Sequence, residues 1–184
     1  MTSYSWLVSA APVTPEPDDK DWTWVLDRPC AECGYDASAV TGAEIGDRAR
    51  AAVTAMRTAL QSSGASERSQ PDVWSTLEYA CHLRDVCIVF GARLAAMRGT
   101  DDPVFANWDQ DATALSERYW EQDPLTVSSE LAAEGERIAA DFDSVGDGEW
   151  PRPGRRSNGS TFTVDTLARY FLHDLEHHVH DVTS

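Results

Sequence analysis

The segment Thr163 to Val182, TVDTLARYFLHDLEHHVHDV, restricts the possible folds more than any other part of the chain. Val164, Leu167, Ala168, Phe171, Leu172, Leu175, Val179 and Val182 recur at helical period and form one apolar stripe. A helix of this kind must bury that stripe against neighbouring elements. Histidines 173, 177, 178 and 180 of the chain's 5 lie on the same segment. His173 and His177 are four residues apart at the edge of the stripe, so they share a face with about 6 Å between their Cβ atoms. Both imidazoles can then reach one ion, since a Zn–N bond is about 2.0–2.1 Å. His178 is turned about 140° from His173, at roughly 100° per residue, and is expected on another face. His180 lies about 10 Å along the axis from His173 and is expected at the rim of the pair or in solvent.

Three further segments carry the helical period. Ile45, Ala49, Ala52, Val53, Met56 and Leu60 mark a first helix from about Ala43 to Ser62. A second starts at Ser75, where Ser75-Thr76-Leu77-Glu78 has the S-x-x-E form of a capping box. It runs through Met97 to Arg98 and Gly99, a basic residue and a C′ glycine that suit a helix end. Leu131, Gly135, Ile138, Phe142 and Val145 form a bundle-like seam on a third, from about Thr126 to Val145. Gly135 on that seam permits a close helix contact. The connection of residues 100–124 is too long to be structureless in a compact domain. One short helix is expected within Asp109–Trp120, with Leu115, Tyr119 and Trp120 facing inward. The glycine- and proline-rich stretch 146–160 reads as a loop, and Thr163 as the N-cap of the last helix. Four amphipathic helices without a convincing strand pair predict an all-α four-helix bundle. The long connection between helices two and three lets those two run parallel.

The chain's 184 residues suit one such domain, expected over 42–184. Residues 1–41 are expected to form an extended leader that ends in a CxxC turn packed on the bundle. The formal charge of −16 repels phosphate backbones, which argues against nucleic acid as a partner. No apolar run is long enough to span a membrane, and the N-terminus lacks a signal-peptide pattern, so the expected location is the cytoplasm. A disulfide framework among Cys30, Cys33, Cys81 and Cys87 is not expected there.

His82 lies two turns into the second helix, among Tyr79, Val86 and Val89. An unpartnered imidazole in such a place costs free energy. A divalent ion held by His82, His173 and His177 would satisfy all three rings and leave a coordination position open, the pattern of a catalytic site. Asp85, Asp174, Glu176 and Asp181 are candidate acceptors for the histidine N–H groups.

The segments WSTLEYACHLRDV, with His82, and TVDTLARYFLHDLEHHVHDV, with His173 and His177, resemble the DinB-like superfamily. The intervening FANWDQDATALSERY is similar as well. That superfamily includes thiol-dependent transferases and a mycothiol-dependent maleylpyruvate isomerase. The resemblance covers roughly residues 43–182. It implies helices running up-down-down-up and three histidines on a divalent ion, commonly zinc or nickel, with water completing the shell.

Two features lie outside that pattern. Cys30-Ala31-Glu32-Cys33-Gly34 is a C-x-x-C-G. It reads as a turn with incidental thiols, as a redox dithiol, or as a source of thiolates for the histidine-bound ion. Cys81 and Cys87, six apart on a helix, lie on different faces and are poor candidates to complete a site of four cysteines. Arg152, Arg155 and Arg156 concentrate positive charge before the last helix, either as an anion clamp or as a solvated loop.

The function expected from these readings is a divalent-metal-dependent transferase or isomerase. It would use a low-molecular-weight thiol such as mycothiol against a small electrophile, in a chain that can form a homodimer. The alternative is a non-catalytic metal-binding bundle acting as a binding or scaffold protein.

Overall fold

The computed structural model describes Val13, Pro15 and residues 21–184. Residues 1–20 of the expected leader therefore lie outside the described residues, apart from those two positions. The main helices are α1 (Ile45–Ala59), α2 (Thr76–Gly99), α4 (Pro124–Asp143) and α5 (Val164–Thr183), with a short α3 (Gln110–Ser116) in the long connection. Their starts are set by side chains legible in the sequence. Ser75 and Glu78 close a capping box at α2, Asp123 caps α4 ahead of Pro124, and Thr163 accepts from the Thr166 amide at α5.

Cross-helix contacts fix the directions. Arg84 pairs with Glu130 at 2.7 Å near the start of α2, and Arg98 Nη1 donates to Ser144 Oγ at 2.9 Å near its end, so α2 and α4 run parallel. Arg57 donates to Ser128 at 3.1 Å while Arg50 meets Asp143 at 2.9 Å, so α1 and α4 are antiparallel. His82 meets Asp174 at 3.2 Å whereas Phe90 packs on Phe171 at 5.6 Å, so α2 and α5 are antiparallel. It follows that α1 and α5 point the same way, and the bundle is up-down-down-up. Both α1 and α2 pack against α4 and α5. The core between them is built from Ile45, Met56, Leu83, Phe90, Leu94, Leu131, Ile138, Phe142, Phe171 and Leu172, each at most 2% exposed.

The structure departs from the expected connections in two places. The loop after α4 contains a hairpin, β2 (Pro153–Arg156) with β3 (Thr161–Thr163), and β1 (Val104–Phe105) adds a parallel edge to β2. Asn158-Gly159 supplies the turn, with Gly159 at φ 101°. Leu115, expected inward, is 42% exposed. The reason is that α3 lasts only two turns and buries Ala114; Arg118 then takes a left-handed φ of 50° and swings Tyr119 into the core instead.

Segment 21–41 lies on the bundle through Trp22–Leu26, a short 3-10 helix against α5, and through Tyr35, whose hydroxyl donates to the Arg169 carbonyl at 2.7 Å. No helix among the described residues is long and apolar enough to cross a membrane.

Gly135 marks a close approach of α1 and α4. A Cβ there would sit 2.7 Å from Val53 Cγ2. We expect Gly135→Ala to destabilise the protein, because overpacking costs about 1–3 kcal/mol against at most ~1 kcal/mol gained in helix propensity. The check is a lower denaturant midpoint at unchanged slope, with the combined loss in Gly135→Ala/Val53→Ala smaller than the sum of the single losses. A rise in the midpoint of Gly135→Ala would refute the close contact.

Candidate metal centre

α5 carries two interleaved pairs of ligand-type residues, each with i, i+4 spacing. One is His173 and His177; the other is Asp174 and His178, rotated by about 100° around the helix. The bundle presents the two pairs to different neighbours. Asp174 and His178 face α2, where His82 lies fully buried. His173 and His177 face segment 21–41, where Trp22 packs against both rings at 5.7 and 5.2 Å.

The expected set of His82, His173 and His177 is thus divided between two clusters. In the first, one ligand atom from each of His82, Asp174 and His178 lies within 4.8 Å of the others. Asp174 Oδ1 is 3.2 Å from His82 Nε2 and 3.4 Å from His178 Nε2. In the second, one ligand atom from each of Cys30, Cys33, His173 and His177 lies within 4.8 Å of the others. His178 does lie on a different face from His173, as expected, and that face is the one toward His82. His180 faces neither cluster and bonds Ser184 at 2.9 Å.

The first cluster is held rigidly. Trp108 stacks flat on His82 at 5.5 Å and Trp74 flanks it at 5.5 Å. His178 hydrogen-bonds Asp181 through Nδ1 at 2.9 Å, which directs its Nε2 at Asp174. Burial works against the Asp174 carboxylate, but the hydrogen bonds and charge of His178 and His82 outweigh it and hold the carboxyl well below the usual range. Burial likewise opposes charge on His178, yet Asp174 and Asp181 push its pKa up to about 9. His173 moves the other way. Burial, then the charge of His177, lowers it to about 4. One pair on the helix therefore has a charged character and its neighbour a neutral one.

Both clusters contain a buried nitrogen without a partner, His82 Nδ1 in the first and His173 Nε2 in the second. An orphaned buried nitrogen is costly, and an ion bound at His173 Nε2 would remove that cost; at His82 the nitrogen facing Asp174 is Nε2, so Nδ1 stays unpartnered with an ion there. The donor chemistry fits as well. Two imidazoles and a carboxylate suit zinc, nickel or a similar ion, and three protein ligands leave a position open.

A cavity of about 50 Å³ lies between the clusters, lined by Trp22, Gln110, Tyr170, His173, Asp174, His177 and His178. A wider groove of about 280 Å³ shares Trp22, Gln110, His177 and His178 with it and adds Trp74, Tyr79, Glu32 and Asp181.

The arginine group does not act as one clamp. Arg152 caps the end of α2, donating to the Met97 and Thr100 carbonyls at 2.6 and 3.1 Å. Arg155 pairs with Asp102 at 2.9 Å near the surface. Arg156 alone turns inward. Its guanidinium lies 5.3 Å from the ring of Tyr170, and its Nε and Nη2 are buried without partners. Arg93, which sequence reasoning does not single out, is buried close by, and burial together with the charge of Arg156 lowers its pKa to about 10.

Of the other acids considered, Asp181 serves His178. Glu176 is engaged by Arg48 in a two-pronged ion pair at 2.8 and 2.7 Å, and Asp85 accepts from the Tyr119 hydroxyl and from Arg84. The Cys33 thiol is pushed up to about 11 by burial and by Cys30 beside it.

The fold and the donor cluster together describe a four-helix bundle with a metal-type site between its second and last long helices. The DinB superfamily family model matches residues 45–182, and the chain belongs to that superfamily. No curated protein matches it. Among solved structures it is similar to YfiT from Bacillus subtilis, described as a probable metal-dependent hydrolase with an unusual four-helix bundle topology. The TM-score is 0.68 at 15% identity, covering 77% of this chain and 86% of that one.

In the metal-free protein, Asp174→Asn should bring the His178 titration, followed by NMR, down from about 9 toward its ordinary value. Because the folded-state His178 value is raised and that of Asp174 is lowered, the pair's contribution to stability is complete between about pH 4 and 6.5, is lost as pH rises through the folded His178 value, and is lost as pH falls through the folded Asp174 value. An unchanged His178 titration in Asp174→Asn would show that the carboxylate does not control the ring.

Proposed function

We propose that the protein is a divalent-metal-dependent enzyme whose ion is held by His82, Asp174 and His178, and that it transfers a low-molecular-weight thiol to a small electrophile or isomerises such a substrate. The observation that carries this reading is the convergence of three ligand atoms from two helices within 4.8 Å of one another, two of the three residues lining a cavity that shares its wall with a wider groove. The ion, zinc or nickel, would supply Lewis acidity, lowering the pKa of a thiol at its open position or polarising a carbonyl.

The protein's own residues would do the rest. Asp181 fixes the tautomer and direction of His178. Arg156, whose Nε and Nη2 are buried without partners behind the cavity-lining Tyr170, is the candidate to hold an anionic group of a substrate that reaches past that ring. Trp22 and Trp74, with Glu32 and Asp181, give the groove aromatic faces and acceptors that suit a hydroxyl-bearing thiol such as mycothiol. With water in place of the thiol the same arrangement would hydrolyse its substrate, the kind of reaction for which YfiT is described. A non-catalytic metal-binding bundle is the second reading, favoured by the small size of the inner cavity, about 50 Å³.

The test is turnover of a chlorobimane with mycothiol, bacillithiol or glutathione by zinc- and nickel-loaded protein. Activity should vanish on chelation and in His82→Ala. Asp181→Ala should weaken metal binding by about 10–100-fold, and Arg156→Leu should raise KM for anionic electrophiles more than for neutral ones. Metal bound in full stoichiometry without turnover of any pair would favour the non-catalytic reading.

A further inference from the structure

The proposed catalytic ion uses none of the four donors on the other face of α5. Cys30 and Cys33 come from a turn before α1, and His173 and His177 from the last helix. Folding nevertheless brings them together: Cys30 Sγ is 3.8 Å from His177 Nδ1 across 147 residues of sequence. A tetrahedral zinc with bonds of about 2.3 Å to sulfur and 2.0–2.1 Å to nitrogen separates its donors by about 3.4–3.8 Å. All four donors here fall within 4.8 Å of one another, so a small contraction would close the shell.

The surroundings are those of a ligand set. Cys30, His173 and His177 are 1%, 3% and 7% exposed, and His173 Nε2 is buried without a partner. The C-x-x-C-G turn is tightly bonded. The Cys30 amide donates to the Tyr35 carbonyl at 2.8 Å and the Gly34 amide to the Cys30 carbonyl at 2.9 Å. Gly34 takes φ 77°, a conformation that favours glycine. On the far side of His177, Nε2 lies 3.6 Å from Glu32 and 3.7 Å from Asp181, carboxylates placed to take its N–H when Nδ1 binds an ion.

We propose that Cys30, Cys33, His173 and His177 bind a zinc ion of their own, a closed structural centre that staples the segment before α1 to α5. Two thiolates neutralise the ion's charge, a tetrahedron of two sulfurs and two nitrogens selects zinc, and four protein ligands leave no position for substrate. The staple also fixes Trp22, which packs on both histidines and forms part of the wall of the cavity beside Asp174 and His178. The segment would thereby shape the proposed catalytic cavity without supplying a ligand to its ion.

The experiment is metal analysis, cobalt(II) absorption and zinc X-ray absorption on the full chain. The wild type should bind a thiolate-ligated ion, seen as sulfur-to-cobalt charge transfer and as a Zn–S shell at about 2.3 Å. Cys30→Ser/Cys33→Ser should lose that signal and one metal equivalent, whereas His82→Ala and Asp174→Asn should keep the signal. His177→Gln supplies a milder variant, expected to weaken the ion while leaving both thiols in place, should the double variant fail to fold. A wild-type shell made only of nitrogen and oxygen would overturn the proposal. So would a thiolate signal that disappears in His82→Ala, because that would mean one shared ion. Loss of catalytic turnover with the thiolate signal intact bears on the proposed reaction alone.

Discussion

The site depends on the burial of polar side chains at the interface of α2 and α5. His82 is fully buried, and its imidazole is held by the Asp174 carboxylate at 3.2 Å and enclosed by Trp74 and Trp108. Charge in a low-dielectric interior is tolerated only with compensation. Here the compensation is a chain of polar contacts, from His82 to Asp174, to His178 and on to Asp181. The apolar packing on either side, Leu83 and Val86 on one helix and Phe171 and Leu175 on the other, keeps water from solvating these groups separately. The donor atoms are therefore positioned before any ion arrives, the condition under which a metal site binds tightly and selectively.

The antiparallel approach of α2 and α5 follows from the long connection between α2 and α4. A short loop there would have made those two helices an antiparallel hairpin. The crossing through β1, α3 and the Tyr119 turn instead lets them run parallel, and α5 returns alongside α2 in the opposite sense. The first turns of α2 then lie beside the last turns of α5, which is where the histidines are. Arg152 and the small sheet anchor the opposite end, against the end of α2.

Much of the fold is legible in the chain itself. The helical stripes, the Ser75–Glu78 capping box, the Thr163 cap and the close approach at Gly135 all show in local patterns, because each depends on residues a few positions apart or on one side-chain volume. The hairpin at residues 153–163 escapes such reading although Asn158-Gly159 signals its turn; the prolines and glycines around it give no alternating apolar pattern. Leu115 defeats the periodicity argument because its orientation depends on where α3 stops, which the left-handed Arg118 decides.

The candidate site is half legible. His82 and the ligand-rich last helix stand out in the sequence, and so does the importance of an i, i+4 pair. Which pair faces α2 does not, since Asp174/His178 and His173/His177 have identical spacing and differ only by a rotation of about 100°. Local periodicity and side-chain chemistry suffice to place the helices, their caps and the inventory of ligands, and the linear chain carries both. The partition of those ligands is a property of the folded molecule. The rotation of α5 in the bundle and the return of Cys30 and Cys33 onto its other face are set by packing between residues far apart in the chain, and from that packing come two donor clusters where the sequence suggested one.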